Sequence, residues 1–132
     1  DENCQTNVPG IFACGNVLQV HDLVDNVSDE AEMAGRSAAR FVRGGGARHE
    51  AIHVSAGAGV RYVSPCRLSG QAGATLSLRV AEPGRDKKVV VRSDGETLRE
   101  FSHKRVHPAE MVRLRIGPDD LKGHGSITVE LE

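Results

Sequence analysis

Aromatic side chains are nearly missing from this chain. With no Trp, one Tyr and three Phe in 132 residues, any core has to be assembled from Val, Leu and Ile. No apolar run approaches the roughly twenty residues of a membrane-spanning helix, and no segment has the order of a signal peptide, so no transmembrane span is expected. Charge of one sign is lacking too. Seventeen basic and eighteen acidic residues are interspersed to a net charge of −1, which excludes general affinity for nucleic acid or anionic membrane from the expected partners. Cysteine is scarce, and Cys4, Cys14 and Cys66 contain no Cys-x-x-Cys pair. That set excludes a dithiol active site within the chain and fits a reducing, cytoplasmic compartment. No metal site is expected either. His49 and His53, like His103 and His107, stand four apart in strand-like tracts, which separates them by about 13 Å and makes them solvent-facing histidines.

What is present divides into two parts. The tract Gly44-Gly45-Gly46 before Ala47-Arg48 removes helix propensity and side-chain packing, and sets a boundary between residues 1–46 and 47–132. In the first part, Val8-Pro9-Gly10 is a turn, with Pro9 fixing φ and Gly10 free to take φ > 0. Ile11-Phe12-Ala13-Cys14 is a short apolar run of the kind a buried strand shows, and Gly15 then allows close approach of the backbone to a ligand. Residues 25–42 have a helical pattern. Asp25 or Ser28 is its expected cap, Asp29 and Glu30 suit its N-terminus, Arg36, Arg40 and Arg43 suit its C-terminus, and Met33, Ala34, Ala38, Phe41 and Val42 form its expected apolar stripe.

Beyond the glycines the apolar period changes to two. Leu76, Leu78 and Val80, then Val112, Leu114 and Ile116, then Ile127, Val129 and Leu131 alternate with polar residues, so each run has one buried face. Further strands are expected at 51–54, 60–63, 88–92 and 98–103. Asp94-Gly95 forms a hairpin between the last two, and Pro83-Gly84-Arg85-Asp86 another turn. The glycine-rich tract 55–62 begins like a dinucleotide loop, but Tyr62 stands in the third glycine's place and no helix follows, so it reads as a turn between strands. The fold class is therefore mainly β: an immunoglobulin-like antiparallel β-sandwich preceded by a strand, loop and helix, with a small barrel as the competing architecture. Arg113 and Arg115, with Lys87 and Lys88 near them, are a candidate basic docking patch, against the alternative of a solvated face.

Residues 1–44 resemble the carboxyl-terminal flavin-contacting segment of the pyridine nucleotide-disulfide oxidoreductase superfamily. The residues that carry the resemblance are Thr6, the apolar-aromatic pair Ile11-Phe12, Ala13, Gly15-Asn16, and Ala34-Gly35-Arg36 in the helix that follows. Cys14-Gly15-Asn16 with Val20-His21-Asp22-Leu23-Val24-Asp25 is most similar to FAD-dependent oxidoreductases found beside glycerol-3-phosphate dehydrogenase-like proteins. The resemblance covers about a third of the chain.

It implies an FAD cofactor held in part by Gly15, Asn16, Asp25, Asn26, Val27 and Ser28. The family's acidic residue after the glycine is Asn16 here, which still accepts a hydrogen bond but brings no charge. The helix start at 25–28 would face the flavin pyrimidine edge, where its dipole stabilises negative charge. His21 and Asp22 are candidates for approaching the isoalloxazine or substrate, whereas Cys14 is expected to pack as a small hydrophobe.

The same segment can also be read as an ordinary capped helix after a buried strand. On the family reading, the chain is the C-terminal part of an FAD-dependent NAD(P) oxidoreductase, in line with its opening on Asp-Glu-Asn rather than Met. Its partners are then the N-terminal FAD/NAD(P) domains of the parent, and a dehydrogenase subunit or a second copy of the chain. No catalytic residue is assigned, and the isolated chain is expected to be inactive and to bind little FAD, because the pyrophosphate loop is not in it. The alternative function is a non-catalytic β-sandwich module for subunit docking or oligomerisation.

Overall fold

The computed structural model describes residues 1–45 and 52–132. It divides into two units, Asp1–His49 and Glu50–Glu132. Gly46, Ala47 and Arg48 of the expected boundary, His49, and Ala51 of the first expected strand lie outside the described residues.

The first unit is a small hairpin, a 3-10 turn at Gly15–Val17 and the helix α1, Val24–Val42. In place of the expected buried strand over residues 11–14, only Gln5 and Phe12 pair, as an isolated antiparallel bridge. Ile11 is exposed. The reason is local: the turn at Val8–Ile11 folds the run back onto residues 4–6, so it hydrogen-bonds to its own upstream segment instead of a sheet. The Thr6 amide donates to Ile11 O at 2.8 Å, the Ala13 amide to Cys4 O at 2.9 Å, and the Ile11 amide to Val8 O at 3.2 Å. Gly10, at φ +82°, takes the left-handed position that a type II turn after Pro9 requires.

Helix α1 starts at Leu23, whose extended backbone (φ −128°) makes it the N-cap without a side-chain hydrogen bond. Neither Asp25 nor Ser28 caps it. Both are already inside the helix, and the Ser28 hydroxyl donates to Val24 O at 3.3 Å. The buried face also departs from the expected stripe. Glu30, Ala34 and Ser37 are buried and Phe41 half-buried, a spacing of four, seven and eleven, while Met33 and Val42 are 43% and 85% exposed. A carboxylate, not an aliphatic chain, opens the inward stripe. The helix ends as its composition asks: Gly44 is left-handed (φ +84°), its amide reaches Phe41 O at 3.0 Å, and the Gly45 amide reaches Arg40 O at 3.0 Å.

Among its described residues the second unit contains eight strands: β1 Ile52–Ala56, β2 Val60–Ser64, β3 Arg67–Leu68, β4 Ala74–Val80, β5 Gly84–Ser93, β6 Glu96–Val106, β7 Val112–Ile116 and β8 Ser126–Leu131. They form a five-stranded sheet in the order β3-β1-β8-β5-β6 and a three-stranded sheet in the order β2-β4-β7. Pairing is antiparallel throughout except between β1 and β8, which run parallel from His53 opposite Ser126 to Ala56 opposite Val129. One core cluster draws Ile52, Val54, Val89, Val91, Ile127 and Val129 from the first sheet and Leu76, Leu78, Leu114 and Ile116 from the second. The chain is thus mainly β, with two sheets closed over an aliphatic core, as its shortage of aromatics demands.

Asp94 and Gly95 both adopt positive φ (49° and 84°) between β5 and β6, the geometry of a type I′ hairpin. The turn expected at Pro83-Gly84-Arg85-Asp86 is displaced, because β5 already begins at Gly84 and Arg85 pairs with Arg105. Lys88 and Arg113 do not share a sheet. Arg113 and Arg115 stand on β7, opposite Ser77 and Thr75 of β4, whereas Lys88 lies on β5 and pairs with Glu100 at 2.8 Å. The expected basic patch is therefore not assembled from these four residues. His53 is exposed as expected, but His103 is half-buried.

Candidate functional site

Cys14 enters the 3-10 turn in extended conformation (φ −149°), and Gly15 follows at φ +66°. The positive φ is what requires glycine, since a Cβ there would lie at an ordinary 3.7 Å from Val27 Cγ1. The Gly15 carbonyl accepts from the amides of Leu18 and Gln19 at 2.9 and 3.0 Å, which winds the chain up before α1. Asn16 projects from this turn, exposed, and its Oδ1 accepts a long 3.5 Å contact from the His21 amide.

Beneath the turn lies Glu30, 8% exposed. Its Oε2 accepts the Gly15 amide at 2.6 Å and meets His21 Nε2 at 3.0 Å, while its Oε1 accepts the Gln19 amide nitrogen at 2.7 Å. Burying a carboxylate is costly unless hydrogen bonds replace its water, and here three donors from the turn and the following loop do so. Two buried polar atoms beside it have no hydrogen-bond partner among the described residues: His21 Nδ1 and Gln19 Oε1. Cys4 Sγ stands 4.0 Å from the Glu30 carbonyl oxygen, and burial, with Glu30 and Cys14 adding to it, pushes the Cys4 thiol up to about 11. Cys14 is half-buried.

Of the six sequence-derived flavin residues, Gly15 and Val27 are brought side by side. Asn16, Asp25 and Ser28 are exposed, and Asn26 and Val27 are half-buried. Asp25 lies in the first turn of α1, where its charge complements the helix dipole. Glu30 was missed as an organising residue. The signal for it was present, since a carboxylate at the first position of an inward helical stripe needs donors, and Gln19 and His21 precede it in the loop.

Among the described residues, every exposed large hydrophobic side chain lies in the first unit: Val8, Ile11, Val17, Leu18, Val20, Leu23, Val24, Met33 and Val42. Five of them fall between Val17 and Val24, where the 3-10 turn leads into the helix. The second unit instead shows a polar outer face on its larger sheet. There Lys88 pairs with Glu100, and Arg92 pairs with Glu130 at 3.1 Å and reaches Thr97 Oγ1 at 2.7 Å. The described residues contain no cluster of metal-ligating side chains and no helix long and apolar enough to cross a membrane.

Around Gly15 the described residues thus bring together a glycine turn, a helix start without a side-chain cap, the exposed Asn16 amide and, between Val17 and Val24, five exposed apolar side chains. No protein-family model, curated protein or solved structure matches the chain.

Proposed function

We propose that the chain supplies the last flavin contacts of an FAD-dependent NAD(P) oxidoreductase, and that its second unit is an immunoglobulin-like β-sandwich appended to them. The observation that carries this reading is the uncovered apolar rim, Val17, Leu18, Val20, Leu23 and Val24, around the Gly15-Asn16 turn and the uncapped start of α1. Isolated apolar side chains on a surface need no explanation, but five exposed ones within eight residues beside a polar turn are a concentration that a covering partner would account for. The sequence resemblance says by what: the remaining FAD and NAD(P) domains of a two-dinucleotide-binding flavoprotein.

In this reading Asn16 gives and accepts hydrogen bonds at the ribityl chain. The start of α1, where the Asn26 amide donates to Leu23 O at 3.2 Å, would present the positive end of the helix dipole to the flavin and favour the negative charge that a reduced flavin carries. FAD, when bound, supplies the hydride and electron chemistry. Val17, Val20, Leu23 and Val24 exclude water from its surroundings. The two packed sheets support the sandwich part of this description, with the parallel β1–β8 pair a departure from all-antiparallel pairing, and the ion-paired outer face supports a solvated role rather than chemistry. A cytoplasmic location accords with the three free thiols.

The test is a flavin titration of this chain and of the encoded full-length protein, followed by flavin absorbance and fluorescence quenching. The expected result is that only the longer protein binds FAD, and that Asn16→Leu weakens it. If neither binds, or if Asn16→Leu has no effect, the flavin reading falls.

A further inference from the structure

Strand β6 has 11 residues and stands at the end of the five-stranded sheet, hydrogen-bonded to β5 on one side only. The other strands at sheet ends are shorter, with five residues in β2 and in β7 and two in β3. A long open edge is a template for a further strand, and the side chains along it decide which strand can be added.

Which backbone groups of β6 lie open follows from the pairing one strand further in. The Lys88 amide donates to Glu132 O at 2.9 Å and the Glu132 amide to Lys88 O at 2.8 Å, so Lys88 turns both its backbone groups toward β8. Alternation along an antiparallel strand then turns those of Lys87 and Val89 toward β6, where His103 and Phe101 stand opposite them. The backbone groups of Glu100, Ser102 and Lys104 therefore point away from β5, and among the described residues no backbone group meets them. All three residues are exposed. Phe101 packs against the core, so its neighbours Glu100 and Ser102, and Lys104 two residues on, belong to the outer face of the sheet, where Glu100 pairs with Lys88 and keeps 44% of its side chain exposed.

The order of charges along this edge is self-complementary. Glu100 and Lys104 flank Ser102 at equal spacing with opposite signs. With a second β6 laid antiparallel about a two-fold axis through Ser102, each Glu100 faces the other copy's Lys104, and the three residues with open backbone groups are the ones that exchange hydrogen bonds. Other registers do worse. One centred on Glu100 opposes two carboxylates and runs into the bulge at Leu98, one centred on Lys104 opposes two ammonium groups, and those centred on Phe101 or His103 pair neither charge. Arg99 and Arg105 meet across the favoured register, and each already has a carboxylate of its own chain, Asp120 at 3.7 Å and Glu110 at 3.3 Å.

We propose that the open edge of β6 is a pairing surface for a second copy of this chain, joined antiparallel through Ser102 with Glu100 and Lys104 as reciprocal ion pairs, so that the larger sheets of two copies become continuous. The contact centres on a serine and exposed charges rather than on apolar side chains, so it belongs to the small, weak class of interfaces and is sensitive to salt. It does not depend on the flavin reading.

The test uses the 132-residue chain carrying Val17→Ser and Val24→Ser, which blunt the apolar surface of the first unit. At low ionic strength and protein concentrations up to about 0.5 mM, sedimentation equilibrium should show a monomer–dimer equilibrium that added salt weakens. Ser102→Pro removes an N–H that faces the open edge and not β5, so it should abolish the dimer while leaving circular dichroism and melting in place. Glu100→Lys and Lys104→Glu should each weaken self-association roughly tenfold or more, by setting like charges against each other twice. An equimolar mixture of these two variants should associate again, because every opposed pair in the mixed dimer then joins opposite signs. Amide hydrogen exchange should be slow at Phe101 and His103 at all concentrations, and at Glu100, Ser102 and Lys104 it should slow as concentration rises. A chain that stays monomeric over this range, a dimer indifferent to Ser102→Pro, or a mixture that does not regain association overturns the proposal. Protection of Ser102 that is independent of concentration does so as well, since the edge is then covered within one chain.

Discussion

Phe12 and Phe41 meet edge to face, with ring centroids 6.0 Å apart and planes at 74°. The contact joins the hairpin, held by a single bridge between Gln5 and Phe12, to the last turns of α1. In a unit with so few large buried side chains, this pair and the Glu30 hydrogen bonds are what tie hairpin, turn and helix together. Phe41→Ala should therefore destabilise the first unit by about 2 kcal/mol, below the range for a fully buried phenylalanine because Phe41 is only half-buried. Among the described residues α1 is the sole α-helix, so circular dichroism at the helical band during thermal unfolding reads this unit. An unchanged helical transition would show that the ring pair contributes nothing.

Gly10 tests the same contact from the backbone side. It sits at φ +82°, and a Cβ added there would stand 3.1 Å from Phe41 Cε1. Gly10→Ala incurs both the left-handed penalty and a displaced ring, and should cost about 2 kcal/mol or more in the helical transition. Gly95→Ala, at φ +84° with open space around it, is the control: it carries the dihedral penalty alone, about 1 kcal/mol, and acts on the sandwich. Equal effects at the two positions would mean that the Phe41 contact is slack.

Much of the sandwich was legible in the sequence because a period of two is a direct record of one buried and one wet face. Strand β7 follows its expected limits, and Asp94-Gly95 makes the hairpin its dipeptide announces. The two-residue β3 left no periodic signal, and the parallel pairing of β1 with β8 depends on contacts between the two ends of the unit that no local pattern encodes. The first unit was less readable. An apolar run such as Ile11-Phe12-Ala13-Cys14 means a buried strand only if neighbours cover it, and here it pairs with Gln5 instead. The helix face was read correctly at Ala34, Ala38 and Phe41 and missed at its edges, where Glu30 and Ser37 are buried and Met33 and Val42 are not; for Glu30 the inward position goes with hydrogen bonds to the loop rather than with hydrophobicity.

The ion pairs on the outer face of the larger sheet give a pH dependence with a definite sign. Hydrogen bonding and charge from Lys88 hold the Glu100 carboxyl below its ordinary value. A depressed carboxylate contributes stability that is present above its unfolded value, near 4.3, and is lost as pH falls through the lower folded value. The apparent melting temperature of the sandwich should thus fall between about pH 5 and pH 3 by more in the unsubstituted chain than in Glu100→Gln. The pair is open to solvent, so added salt should shrink the difference. A difference that grows as pH rises from neutrality would contradict the assignment.

The three thiols should separate by reactivity. Cys66 is exposed, Cys14 half-buried and Cys4 buried, with the Cys4 thiol pushed up to about 11 by burial ahead of the charges of Glu30 and Cys14. Since the thiolate is the reactive form, iodoacetamide near pH 8 should label Cys66 first and Cys4 last, with Cys4 reacting fully only after denaturant is added. Peptide mass spectrometry over a time course gives the order. Early labelling of Cys4 would mean that the packing of residues 4–6 against α1 opens readily in solution.

The apolar rim makes a prediction about association that stability measurements alone would not reveal. Val17 and Val24, 83% and 76% exposed, contribute little to the fold of the unit, so Val17→Ser with Val24→Ser should alter its unfolding free energy by less than about 0.5 kcal/mol each. Left uncovered, however, the surface from Val17 to Val24 has a hydrophobic driving force to find another copy of itself. The unsubstituted chain should sediment with a concentration-dependent dimer fraction and bind a hydrophobic dye, and the double variant should do less of both. On the proposed function, a longer flavoprotein carrying the same substitutions should retain less flavin, since the further domains proposed there would cover this surface. If the double variant associates as strongly as the unsubstituted chain, its self-contact lies elsewhere, and the rim loses its role as the surface that the rest of a flavoprotein would cover.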